Sequence, residues 1–428
     1  MSEPCPRARP LDPIPAEVQG QQVIVLRDPL RFSEEVVVPP VLYFFLAHCD
    51  GQKTLSDIKL AFARQFQHIL TEQETNGILE ELDRHYLLDT ERFRCHREEV
   101  VRAYRDERTR RAAHQGSAYS GSPEGLRSEL DSYYAFPEGP GTPPSAIARG
   151  NRQLAGLIAP HIGVRQGGSC FAWAYGRICE SLPIETFVIL GTGHAEIPGC
   201  FAATRKTFET PLGPVPVDTD FLDRLGAHYG SDLCAEEIHH RAEHVIEFQL
   251  IFLQHALADR GDFRIVPILC SYQPESLADG AETGETAAIV DRFCEALRRT
   301  AAETPRAACV ICSADLAHIG WRYGDPVHLG PADLDRLERE DRAMLDIVCS
   351  GSAEGFFENL VREGNRRRVC GFPCIYAMVR ALDLKNGELL RYGQSAMDER
   401  NSTVSYASVA FYGPSAGADK GGGHRPET

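Results

Sequence analysis

From residue 152 onward, short apolar runs rich in β-branched residues alternate with stretches of helical period. The runs are "LAGLIAPH" (154–161), "TFVILGTGH" (186–194), "FRIVPILCSY" (263–272), "AACVICSADLAH" (307–318) and "YASVAFYG" (406–413). Runs this short, each separated from the next by a helix, fit an α/β sheet with covering helices and little else.

Three of the runs end alike. "LIAPHIG" delivers His161 at once after its strand. The strand Phe187–Leu190 turns through glycines to His194. The strand Ala308–Cys312 presents Asp315 and His318. A single imidazole at a strand end is more often hydrogen-bonded structure than chemistry. Ligands of α/β sheets, however, sit beyond the carboxyl ends of the strands. If these strands are parallel neighbours, His161, His194 and His318 converge on one cleft.

Two helical segments belong beside them. "EHVIEFQLIFLQHAL" (243–257) reads as an amphipathic helix beginning at Glu243-His244, with Glu247 one turn further on. "VCGFPCIYAMVRAL" (369–382) places Cys370 before Gly371 at the start of an apolar helix. A thiol there is expected to have a lowered pKa and to be a good metal ligand; the plainer alternative is a small buried hydrophobe. Cys370 and Cys374 lie one turn apart, for which packing is the simpler reading. Cys309 and Cys312 have redox or zinc spacing, but on a strand they face opposite ways.

The chain of 428 residues is long enough for two domains or more, and with 43% hydrophobic residues it can bury a large core. Its net charge of −16 argues against nucleic-acid binding, which needs clustered Lys and Arg. No apolar run is long enough to span a bilayer, the first residues lack a signal-peptide core, and the 14 cysteines are scattered. A reduced, cytoplasmic protein is the expectation.

Residues 1–22 are Pro-rich and expected to be disordered. Residues 23–95 are read as a winged-helix module: a helix from "VVVPPVLYFFLAHCDG", a second starting at Thr54 and a third at Thr71, both with capping-box spacing, then a wing strand from "LLDTERF". This order resembles the small PqqD-like domains that recognise peptides during peptide maturation; a packing or dimerisation domain fits equally. Between Arg31 and Arg94 there are 7 Lys/Arg against 11 Asp/Glu, so DNA is not its ligand. Residues 96–109 are expected to form a helical connector, 110–413 the α/β domain, and 414–428 a disordered tail.

The segments "AHQGSAYSGSPEGLRSEL" (113–130), "LIAPHIG", "VILGTGH", "TPLGPVPVD" (210–218), "EHVIEFQL", "ICSADLAHIG", "CG" (370–371) and "STVSYAS" (402–408) occur in the order of the Memo family. In bacteria that family is grouped as AmmeMemoRadiSam system protein B, and the chain resembles it over Arg110 to Tyr412. The resemblance implies a fold similar to the LigB-type extradiol dioxygenases, a mixed sheet covered by helices with a metal at strand ends. Carried over residue by residue, the implied metal ligands are His161, His194 and Cys370. His318 matches a histidine acting as acid/base, with Asp315 beside it in a role behind the ligands, and Glu243 and His244 match a pair near the cleft. The chain departs from the family pattern at Val164, where an aromatic is usual, at Ala195, where a second histidine often stands, and at Phe372-Pro373-Cys374, where Arg-His-Pro is usual.

Two imidazoles and a thiolate suit Fe(II) first, with Cu or Zn as alternatives. The resulting expectation is a redox-active, iron- or copper-dependent oxygenase-like protein with a peptide or protein substrate and with radical SAM and AMMECR-type partners. The alternative is a non-catalytic metal- or peptide-binding accessory or scaffold protein of the same system. A zinc hydrolase has the ligands but lacks a general base at His-Glu-x-x-His spacing.

Overall fold

A computed structural model describes residues 4–278, 284–304, 306–326 and 328–413; the tail expected at 414–428 lies outside them. The chain divides into two compact units, Met1–Glu107 and Arg108–Thr428.

The first unit opens with three antiparallel strands in the order β1 (Asp12–Val18), β2 (Gln21–Arg27) and β3 (Val36–Val38), followed by α1 (Pro40–Ala47), α2 (Leu55–Phe66), α3 (Glu72–Arg84) and α4 (Glu91–Asp106). The two capping boxes form: the Thr54 and Thr71 side chains accept from the backbone N–H groups of Asp57 and Glu74, whose carboxylates answer back.

Three expectations are corrected here. Residues 12–18 of the Pro-rich start are not loose but pair with β2 from Asp12↔Arg27 to Val18↔Gln21. β1 is an edge strand, where the missing N–H groups of Pro13 and Pro15 are tolerated. "VVVPP" is split, because Pro39-Pro40 ends a strand and opens α1 with proline in its first turn. Thr90 caps α4, so the expected wing is helix from Glu91 onward, and the connector is the second half of that helix. In the first unit the strands thus precede the helices, and among its described residues no strand follows α3.

The second unit runs β4 (Thr109–Arg110), α5 (Pro123–Tyr133), β5 (Leu154–Ala159), α6 (Val164–Glu180), β6 (Thr186–Thr192), β7 (Phe201–Ala203), β8 (Thr207–Thr210), β9 (Gly213–Val215), α7 (Thr219–Tyr229) and α8 (Val245–Ala256). It continues through β10 (Arg264–Cys270), α9 (Glu285–Glu303), β11 (Ala308–Ser313), β12 (Asp315–Ile319), α10 (Pro331–Ser350), α11 (Ala353–Arg362), α12 (Phe372–Leu382), β13 (Glu388–Ala396) and β14 (Thr403–Tyr412). The main sheet has the order β12-β14-β5-β11-β6-β10-β7, with β13 paired to β14. β5, β11, β6 and β10 are parallel; β14, β12 and β7 run against their neighbours. This is the expected mixed sheet covered by helices.

α8 and α12 lie on opposite faces. Ser313 reaches the carbonyl of Val245 in α8, while the adjacent Cys312 reaches Met378 and the carbonyl of Cys374 in α12. α8 is not amphipathic: it is buried nearly all round, polar Glu247 and Gln249 included. The parallel strands are likewise buried on both faces, which explains their unbroken apolar runs.

Candidate metal centre

The parallel register decides which side chains meet. Ala159 of β5 pairs with Ser313 of β11, which pairs with Gly191 of β6. Three strands therefore end level, and His161, Asp315 and His194 emerge from adjacent positions. Gly191 is required by this arrangement, since a Cβ there would come within 2.4 Å of Val245 at the start of α8. Gly371 has the same function opposite: a Cβ would meet the carbonyl of Asp315 at 2.5 Å, so only glycine lets the Cys370 turn approach β12.

The imidazoles of His161, His194 and His244 form a triangle with ring centroids 5.3, 5.7 and 5.1 Å apart. Cys370 Sγ lies 3.3 Å from His161 Nε2. Each ring is anchored through Nδ1. The Nδ1 of His161 donates to the Ser313 carbonyl at 2.9 Å. The Glu243 carboxylate accepts from Nδ1 of His194 at 3.1 Å and lies 3.1 Å from Nδ1 of His244, and it also takes the backbone N–H of both. A carbonyl can only accept, so His161 carries its proton on Nδ1 and presents Nε2 as the lone-pair nitrogen. With Nδ1 committed to Glu243, a metal bond from His194 or His244 would use Nε2.

His194, Glu243 and His244 offer ligand atoms all within 4.8 Å of one another. The hydrogen bonds account for this closeness: Glu243 is set to orient two imidazoles, as carboxylates behind histidine ligands do. His161 adjoins this group through its ring contacts with His194 and His244, and Cys370 adjoins it through His161.

Asp315 is buried at 2% exposure and holds the backbone of His161. Its Oδ1 accepts the His161 backbone N–H at 2.9 Å, and its Oδ2 is 3.6 Å from His161 Nε2. The tautomers of His161 and His318 are fixed by carbonyls instead, Ser313 for the one and Leu316, at 3.2 Å from Nδ1, for the other. His318 stands on β12 with its ring edge-on to Tyr323 at 5.1 Å.

Burial favours the neutral imidazole at His161, His244 and His318. Burial lowers the pKa of His161, although Asp315 opposes the shift. Burial brings His244 and His318 down to about 4. Burial alone would raise the Glu243 carboxyl, but His194 and His244 outweigh it and hold it well below the usual range. Cys370 corrects an expectation. Its thiol is pushed well up, by burial first and then by the negative field of Asp315, and the helix N-terminus does not compensate. The turn places it beside two carboxylates, Asp315 and Glu243, which disfavour the thiolate.

Several supporting residues were not marked by the sequence. Arg110, in what reads as a charged connector, is fully buried and ion-paired with Glu247 of α8; it also donates to the carbonyls of Glu243 and His240. Glu247 further accepts from Tyr119 and from the backbone N–H groups of Ala113 and His114. His114 lies edge-on to His244 at 5.7 Å. Gln249 donates to the Pro160 carbonyl at 2.8 Å, bracing the backbone just before His161. The one available signal was Glu247, a turn from Glu243 on a helix with no solvent-facing side. Of the family departures, Val164 is buried in the first turn of α6, and Phe372 and Cys374 point into the core. Cys309 and Cys312 are fully buried on β11.

A family model described as "Memo-like protein" matches residues 110–410. A MEMO1 family protein of Aquifex aeolicus is 26% identical over 398 residues, covering 91% of this chain and 96% of its own; that alignment is longer than the second unit and so reaches into the first. MEMO1 family proteins of Methanopyrus kandleri and Archaeoglobus fulgidus are 31% and 30% identical over 305 and 300 residues, each covering 69% of this chain and 96% and 97% of their own. No described helix is long and apolar enough to cross a membrane. With its family segments gathered around one strand-end cluster, this chain belongs to the Memo-like protein family.

Proposed function

We propose that the protein is a redox-active metalloprotein in which His161, His194 and Cys370 hold Fe(II), with copper or zinc as other ions suited to the same donors, and that it works as an oxygenase-like enzyme. The observation that carries this reading is the orientation of the donors. Nδ1 of His161 and of His194 is tied to the protein, and Cys370 Sγ stands 3.3 Å from His161 Nε2. Nitrogen and sulfur bound to one tetrahedral ion at 2.0–2.3 Å lie roughly 3.5 Å apart, so the pair fits a shared ion. A bound ion of this kind supplies Lewis acidity and electron exchange at its open positions.

The chain's own residues do the rest. Glu243 keeps His194 and His244 in one tautomer and orientation. Asp315 fixes the backbone of His161. His318, neutral at pH 7 and anchored at the Leu316 carbonyl, is able to take a proton at Nε2 from a bound substrate and return it. A peptide or protein substrate, and radical SAM and AMMECR-type partners in the cytoplasm, complete the proposal.

A second reading is a metal- or peptide-binding accessory protein without turnover. It is favoured by one observation: Phe372 and Cys374, following the Cys370 turn, are buried and give the cleft no polar group. The two are separated by loading the chain anaerobically with Fe(II), removing unbound metal, and admitting oxygen with ascorbate as reductant. Bound iron with sustained oxygen uptake above that of Cys370→Ser supports the enzyme. Bound iron with uptake equal to that of the variant supports the accessory protein. Absence of bound iron, copper or zinc overturns both metal readings.

A further inference from the structure

The first unit carries a feature unrelated to the strand-end cluster. Residues 4–9 form a strap laid across the unit. Cys5 N–H donates to the Lys53 carbonyl at 2.8 Å and Ala8 N–H to the Cys49 carbonyl at 2.6 Å. On its other side Arg9 N–H donates to the Leu87 carbonyl and the Arg7 carbonyl accepts from Asp89 N–H. The guanidinium of Arg9 is buried against Asp28 at 2.6 Å. Gly51, at φ +77°, leaves room for the strap, since a Cβ there would meet the Arg7 Cβ at 3.2 Å.

At one end of the strap Cys5 Sγ lies 3.5 Å from Cys49 Sγ, with both side chains at 2% exposure. They are 44 residues apart in sequence, and both belong to the apolar core of the unit. We infer that Cys5 and Cys49 are a reversible oxidation site, at which a peroxide converts the two thiols to an intramolecular disulfide that pins the strap to the turn after α1. Bond formation needs the sulfurs to close from 3.5 Å to about 2.05 Å, a movement within reach of side-chain rotation and a small shift of the strap.

The chemistry balances with hydrogen peroxide as oxidant. The Cys5 thiolate attacks one peroxide oxygen, the O–O bond breaks, and hydroxide leaves to become water, giving a sulfenic acid. Cys49 sulfur then attacks the sulfenic sulfur; the S–O bond breaks, a second water leaves, and the S–S bond forms. The two thiols lose two electrons and the peroxide gains them. The hydrogen bond between the two sulfurs lowers the Cys5 pKa, and Cys5 is carried on the strap while Cys49 sits in the turn after α1, so Cys5 is assigned as attacker and Cys49 as resolving thiol. The strap rests on the backbone hydrogen bonds given above and on the Arg9–Asp28 pair, and its local opening gives peroxide access. Reduction by a dithiol reverses the step.

The test uses the full chain with Cys95→Ser, which removes the exposed thiol. The protein is treated with hydrogen peroxide, blocked with an alkylating agent, digested and mapped by mass spectrometry. The expected result is a linked peptide pair containing Cys5 and Cys49, lighter by about 2 Da than the two thiol peptides and lost on dithiothreitol treatment. Its formation should precede oxidation of the core cysteines, and Cys49→Ser should leave a trappable sulfenic acid on Cys5. Cys5→Ser, which keeps the volume, should abolish the linkage without altering circular dichroism. If Cys5 and Cys49 stay reduced, or are oxidised no sooner than Cys309 and Cys312, the pair is core packing and the inference is wrong.

Discussion

The Nε2 of His161 lies 3.3 Å from the Sγ of Cys370, although 209 residues separate them in the chain. β5 brings the first and the turn before α12 the second. The burial that joins them also keeps the thiol protonated in the absence of metal. Under the proposed ligation, metal binding releases a proton from Cys370, and apparent affinity should rise with pH below the raised thiol pKa. Calorimetric titration with Zn(II) in buffers of different ionisation enthalpy measures that proton; in Cys370→Ser it should vanish.

Replacing the same thiol in Cys370→Ser should remove most bound iron or copper, because hydroxyl is a poor ligand where thiolate is a strong one. Cys309→Ser and Cys312→Ser should leave metal content near that of the parent, since both sulfurs are in the core and Cys312 is turned toward Met378. Elemental analysis of the three variants compares them; equal losses would count against Cys370 as a ligand.

Glu243→Gln should keep the fold and lower metal affinity by roughly 10–100-fold, the cost of losing a carboxylate behind histidine ligands. The amide can serve one imidazole as acceptor but not both as well. Competition with a chelator gives the affinity, and unchanged near-ultraviolet dichroism shows that packing survived.

His318→Ala should retain metal and lose any proton-dependent turnover, because His318 is neutral and anchored at Leu316, while the proposed ligands are His161, His194 and Cys370. Loss of metal in this variant would make His318 a ligand and overturn the assignment of roles.

Arg110→Met should destabilise the second unit by about 3–5 kcal/mol, since it leaves the buried Glu247 carboxylate without its cation. Urea unfolding measures the loss. Metal content should fall with it, because Arg110 also holds the carbonyl of Glu243.

Acid should weaken the metal-free fold. Burial takes His240 from 6.5 to about 3, so on acidification the unfolded chain binds the proton first. Its contribution is present above about pH 6.5 and is lost as pH falls from there toward 3. The urea midpoint at pH 5 should lie below that at pH 7, and His240→Gln should flatten the difference. An equal difference in the variant would assign the acid sensitivity to other groups.

The main sheet and the strand-end histidines were legible in the sequence because their cause is local. A short apolar run closed by Pro160-His161 or by Gly193-His194 carries its strand and its terminus together. The capping boxes at Thr54 and Thr71 were legible for the same reason, since both partners lie within one turn. The start of the chain misled: Pro13 and Pro15 look incompatible with a strand until the strand is known to be an edge. Tertiary structure alone decided the direction of the Cys370 pKa shift, because its burial and the carboxylates of Asp315, from β12, and Glu243, before His244, come from the fold. It alone decided that Arg110 is buried, since its partner Glu247 is 137 residues away. The same holds for the anchoring of His161 on Ser313, a contact across 152 residues that exists only because β5 and β11 are parallel neighbours ending level. Local sequence specifies where a strand ends and what stands there; the field that each group feels, and the partner that fixes its proton, come from neighbours that only the folded sheet supplies.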